Sequence, residues 1–130
     1  MKEYIPKTKD DLQAIEHLNH CSFSEVSADV PVLLEFMQDL HWEVAHGIGV
    51  YFAPYVNEIK KDLLQILLSN DNEWKFGILF GLVAKSSVRL DKELIEELRR
   101  ISISPTAGEV QEELNTVAKE ILANNDMRSS

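Results

Sequence analysis

Two stretches of this chain repeat one another, and the repeat constrains the fold more than any other feature. Leu33-Leu34-x-Phe36-Met37 recurs 30 residues later as Leu63-Leu64-x-Ile66-Leu67. Trp42-x-x-Ala45-x-x-x-Gly49 recurs as Trp74-x-x-Gly77-x-x-x-Gly81 at an offset of 32. A two-residue difference in the turn between helices reconciles the offsets. Leu94-Ile95-x-x-Leu98 continues the first pattern 31 residues after Leu63, without the tryptophan or the small-residue pair. Each unit reads as an amphipathic helix followed by a more apolar one. Neither buries its face alone, so such units stack on their neighbours.

The small residues carry a packing prediction. Glycine in a helix interior costs about 1 kcal/mol relative to alanine. Gly77 and Gly81 in one helix, and Ala45 and Gly49 in its counterpart, therefore point to second helices in close approach. The rival reading is that they only make room around Trp74.

Helical spacing extends through the rest of the chain. Residues 1–7 read as an extended lead-in, with Pro6 disfavouring helix at Ile5. Thr8-Lys9-Asp10-Asp11 resembles an N-cap with acidic residues in the first turn, before a helix over about Lys9 to His20. Ser22 to Asp29 reads as a polar, turn-like stretch in which Phe23 and Val26 are candidates to pack down, and Pro31 suits the first turn of the next helix. Leu33, Phe36, Met37 and Leu40 recur at helical spacing. Trp74 to Ala84 is apolar nearly all round, as a helix buried on several sides would be. Ser104 to Gly108 reads as a loop, and Val110, Leu114, Val117, Ala118 and Ile121 as one last helix. Residues 124–130 should fray. With no convincing period-two segment, the expectation is a single all-α domain over 1–130, with seven helices.

The stretches LLEFMQDLHWEVAHGIGVYFAPY and LLQILLSNDNEWKFGILFGLVAK resemble HEAT-type repeats: a leucine-rich helix, an aspartate near the turn, then a helix rich in small residues. The usual arginine after the valine of the second helix is absent, since Ala45 follows Val44. The segments PKTKDDLQAIEHL, PVLLEFMQDLHWEVA, NDNEWKFGIL and SPTAGEVQEELNTVAKEIL also resemble a bacterial family defined only as a domain of unknown function, number 5071. The resemblance implies a HEAT-like α-α superhelix of about three hairpins plus an N-terminal helix. It implies no activity and no catalytic residue.

Charge narrows the function classes. The formal net charge of -9 opposes nucleic-acid phosphates and anionic membrane surfaces. Lys7/Lys9, Lys60/Lys61 and Arg99/Arg100 are scattered pairs rather than a stripe, so neither a nucleic acid nor a membrane is expected as partner. A basic protein partner is permitted. Cys21 is the one cysteine, so no intramolecular disulfide forms. The N-terminal residues lack a signal-peptide pattern, and the expected location is cytoplasmic.

Candidate chemistry is sparse. His17-x-x-His20-Cys21 places soft ligands on one helix, and zinc would need further donors such as His41 or His46. The plain alternative is a small buried thiol beside surface histidines. Cys21 with a histidine lacks an oxyanion hole or a third member for nucleophilic catalysis. Glu93, Glu96, Glu97, Glu109, Glu112, Glu113 and Glu120 crowd the C-terminal hairpin. Paired acids suit glycosidase or metal chemistry, but most of these lie on the polar side of the pattern and read as a solvated face that would also dock a basic partner. Trp42 and Trp74 stand at equivalent repeat positions, either as anchors between layers or as hot spots in a groove. Asp39, His41, Glu43, Asp71 and Glu73 flank them. No phosphate-loop, dinucleotide, zincin or nucleophile-elbow motif is present.

No cofactor or metal is expected. The leading expectation is a non-enzymatic protein–protein interaction module, of adaptor or immunity type. Its candidate surface comprises Asp39, His41, Trp42, Glu43, Asp71, Glu73, Trp74, Glu109, Glu112 and Glu113. The alternative is a small-molecule or enzymatic pocket between hairpins near Trp42, His46 and Trp74.

Overall fold

The computed structural model describes residues 2–128. Met1 of the lead-in and Ser129 and Ser130 of the tail lie outside the described residues. The described chain is all-helical: α1 (Leu12–Asn19), α2 (Phe23–Val26), α3 (Val30–Leu34), α4 (Glu43–Phe52), α5 (Lys60–Leu67), α6 (Asn72–Gly81), α7 (Lys92–Ile103), α8 (Ala107–Gln111) and α9 (Leu114–Asn125). Short 3-10 turns extend α2, α3, α4 and α6.

Helix starts follow local capping chemistry. The Asp11 carboxylate accepts the Ala14 N–H at 3.3 Å, so α1 begins after Asp11 rather than at Lys9. Asp71 caps α6 by accepting the Trp74 N–H at 3.1 Å. Thr106 and Glu109 form a reciprocal capping box that starts α8.

The structure has more helices than the seven expected. The segment read as a polar turn contains α2, because the Glu25 carboxylate accepts the Ser22 N–H at 2.9 Å and Val26 is fully buried. The stretch read as one last helix is broken in two. Glu113 adopts a left-handed conformation (φ 59°), which ends α8 and reorients the chain into α9. Ala107 and Gly108, assigned to a loop, open α8.

The lead-in turns back on itself, with the Ile5 N–H donating to the Lys2 carbonyl. Tyr4 is buried, and its hydroxyl donates to Asp29. At the other end Arg128 donates to the carbonyls of Val83 and Val88.

One continuous core joins all the larger helices. Leu18, Leu33, Met37, Ile48, Phe52 and Leu63 are among its fully buried side chains. Each contributes about 1.5–3 kcal/mol of burial free energy. Within it α5 packs on α6 and α7, α4 packs on α1 and α6, and α6 and α7 both pack on α9.

The close approach predicted from glycine occurs. A methyl group on Gly49 would run into the carbonyl oxygen of Gly81, so α4 and α6 meet backbone to backbone. A methyl on Gly77 would strike the carbonyl oxygen of Met37.

Candidate binding groove beside Trp74

The α3 helix is five residues long and passes into a 3-10 turn over Glu35–Met37. Beside it the chain leaves a groove of about 270 Å3. Pro31 and Leu34 form one wall, and Asp62, Gln65, Ile66 and Ser69 form the other. Those four recur along α5 and its end at i, i+3, i+4 and i+7, which places them on one helix face. Trp74 reaches in from α6, and its indole N–H donates to the Leu34 carbonyl at 2.9 Å. That bond fixes the ring and satisfies its polar atom, leaving the apolar surface of the indole to line the groove.

The rim is polar and partly unspent. The Ser69 hydroxyl donates to the Ile66 carbonyl at 2.7 Å. Asp62 and Gln65 make no side-chain hydrogen bond or ion pair among the described residues. Other partly buried carboxylates are engaged: Asp29 with Lys2, Asp91 with Lys60, and Asp39 with the His41 N–H.

The structure scatters the residues that the repeat pattern grouped. Trp42 is the N-cap residue of α4, whereas Trp74 is the third residue of α6. Trp74 lines the groove and Trp42 does not. His46 belongs to a separate depression of about 170 Å3 with Leu40, Phe80, Gly81 and Lys85. Asp71 and Glu73 are exposed on the turn and first residues that present Trp74. Asp39 accepts the His41 N–H at 2.8 Å and its ring Nδ1 at 3.0 Å. The backbone bond is the larger cause of the lowered Asp39 carboxyl pKa. Glu43, Glu112 and Glu113 are exposed.

Glu109 requires a correction. The sequence pattern places it on a solvated docking face, yet its side chain is 0% exposed. It accepts from Lys75 Nζ at 3.0 Å, from Arg100 at 2.6 and 3.0 Å, and from the Thr106 N–H at 2.8 Å. Burial pushes its pKa up, but hydrogen bonds from Arg100, Thr106 and Lys75 outweigh burial and hold it at about 2. Glu97 is also buried, since it shares the inward face of α7 with Leu94, Leu98 and Ile101. Lys75, 3% exposed, is the buried cation of this cluster and bonds Glu109, while Arg100 joins Glu97 to Glu109. Two signals pointed to it: a lysine inside the otherwise apolar run from Trp74 to Ala84, and the capping-box spacing Thr106-x-x-Glu109.

Other constellations do not converge. The Cys21 thiol donates to the His17 carbonyl, and the His17 ring faces Glu3 at 3.4 Å. Among the described residues no three His, Cys, Asp or Glu side chains stand close enough to share a metal ion. No described helix is long and apolar enough to cross a membrane. A broader depression of about 480 Å3 lies over α1 among Glu3, Lys7, Asp11 and His17. Its lining is mostly polar: Asp11 caps α1 and accepts the Lys7 N–H, Glu3 faces His17, and the Lys7 and Gln13 side chains are unpaired among the described residues. The groove beside Trp74 instead combines apolar walls with uncommitted polar groups, which is the composition of a binding site.

Comparison with curated proteins finds no match to the chain. Residues 4–122 match the family described as Domain of unknown function (DUF5071), and the chain belongs to that family.

Proposed function

We propose that this protein is a non-enzymatic protein–protein interaction module, a HEAT-like stack of helical hairpins that presents an acidic surface to its partner. The observation that carries the reading is the Trp74 groove, with apolar walls and an uncommitted carboxylate at its rim, on a chain of net charge -9. The stacked arrangement is supported by two series of neighbours. First helices α5 and α7 touch, and second helices α4, α6 and α9 touch in order. The backbone approach of Gly49 to Gly81 is what successive second helices in a stack require. The adaptor or immunity-type role is fold-level analogy.

The rival reading, a small-molecule pocket, is less well served. A volume of about 270 Å3 lies at the lower edge of the roughly 300–1,000 Å3 range of sites that enclose a drug-sized ligand. It suits a single side chain of a larger partner.

Affinity capture from the native host, followed by reconstitution with the purified partner, tests the proposal. Wild type should bind with an affinity that falls as salt rises. The double change Glu35→Lys/Glu73→Lys should weaken binding, with the fold unchanged by circular dichroism, since both side chains are exposed and unpaired among the described residues. A captured protein that fails to form a complex when purified would contradict the reading. So would a complex indifferent to both salt and charge reversal.

A further inference from the structure

We propose that the groove beside Trp74 receives a short cationic segment of the partner, seating one bulky apolar side chain against Pro31 and Trp74 and pairing an adjacent arginine with Asp62; this rests on the interaction-module reading. The apolar half of the site is preorganised. Trp74 is held by its 2.9 Å bond to the Leu34 carbonyl, so little side-chain entropy remains to be lost on binding. Pro31 has no backbone N–H to leave unsatisfied, and Ile66 presents a β-branched wall with restricted rotamers.

The polar half selects the sign of the partner. Asp62 is partly buried beside apolar surface and has no cationic partner among the described residues. Lys60 on the same helix is committed to Asp91 and Glu93, at 2.9 and 3.1 Å. Lys61 makes no pair with Asp62 and stands on the flank of the face that lines the groove. Exposed Glu35 follows the wall residue Leu34, and exposed Asp71 and Glu73 bracket the start of α6 that presents Trp74. An incoming cation therefore meets the unpaired Asp62 in the groove, with the exposed and unpaired Glu35 and Glu73 on neighbouring residues, while Asp71 is held as the cap of α6. Arginine fits better than lysine. Its planar fork pairs a carboxylate through two bonds, and its guanidinium also stacks on an indole face. Gln65, free beside Asp62, is placed to accept a further N–H from the segment.

The test is an NMR titration of 15N-labelled protein with two synthetic ten-residue peptides. One carries a central phenylalanine flanked by arginines, and the other replaces the arginines with glutamates. The cationic peptide should shift the Trp74 indole resonance and the amides of residues 62–69, and the acidic peptide should shift neither. Asp62→Asn should weaken the cationic peptide about tenfold, equivalent to about 1.4 kcal/mol, and leave the free protein's spectrum otherwise intact. Shifts confined to the Glu112/Glu113 surface, with Trp74 unmoved, would overturn the groove assignment and leave the interaction-module reading standing. Shifts nowhere at millimolar peptide would overturn the groove proposal, while the interaction-module reading stands or falls on the capture and reconstitution experiment. Movement of the Trp74 resonance with protein concentration alone would assign the groove to a second copy of this chain and overturn the proposal.

Discussion

Lys75 has one anionic partner in the core, whereas Glu109 has three donors. The asymmetry makes the two residues unequal. Glu109→Ala leaves the Lys75 ammonium buried without a partner, a situation that costs about 3–5 kcal/mol. Lys75→Met leaves Glu109 bonded to Arg100 and the Thr106 N–H, so it should cost less than half as much. Urea unfolding measures both, and equal losses would refute this account of the cluster. The same carboxylate sets an acid response. Its pKa lies near 4.5 unfolded and at about 2 folded, so its contribution is complete above pH 4.5 and disappears as the pH falls toward 2. The loss is on the order of 3 kcal/mol. Glu109→Gln should flatten the stability profile across that window, and a profile as steep as wild type would show that other carboxylates dominate. Residue roles were the least readable level of the sequence. Trp74 stood out by its repeat position, but Pro31, Asp62 and Gln65 look like ordinary helix residues until α3 and α5 are placed side by side.

At the scale of elements, the junction of α4 and α6 depends on the absence of side chains. Gly49→Ala places a methyl against the Gly81 backbone oxygen, an atom that cannot rotate away. Relief requires the helices to separate, and overpacking of this kind costs about 1–3 kcal/mol despite alanine's better helix propensity. Thermal unfolding of Gly49→Ala should show a lower Tm; an unchanged or raised Tm would mean that the interface yields. Long amphipathic helices such as α5 and α7 were readable because their apolar residues recur at helical spacing over two or more turns. The short α2 was not, since four residues carry too little periodicity and its start rests on one Ser22–Glu25 bond. The break at Glu113 was equally silent, because a left-handed residue is usually signalled by glycine or asparagine rather than glutamate.

At the scale of the whole molecule, the repeat predicts an all-helical chain with the helices of Gly49 and Gly81 in close contact, and among the described residues both features are present. Net charge misled at one place. Counting glutamates on the C-terminal hairpin treated Glu97 and Glu109 as solvated, because a charge count carries no information about which carboxylates meet a buried lysine or arginine. The acidic character that remains at the surface is what the proposed partner would read, and Asp62 is where it meets apolar surface. A double-mutant cycle tests that juxtaposition most directly. It crosses Asp62→Asn in the protein with arginine-to-glutamine in the cationic peptide and measures Kd by calorimetry. The account predicts a coupling energy of at least about 0.5 kcal/mol, the lower end expected for residues in contact. Additive effects, with no coupling, would contradict a direct pairing of Asp62 with the partner's arginine.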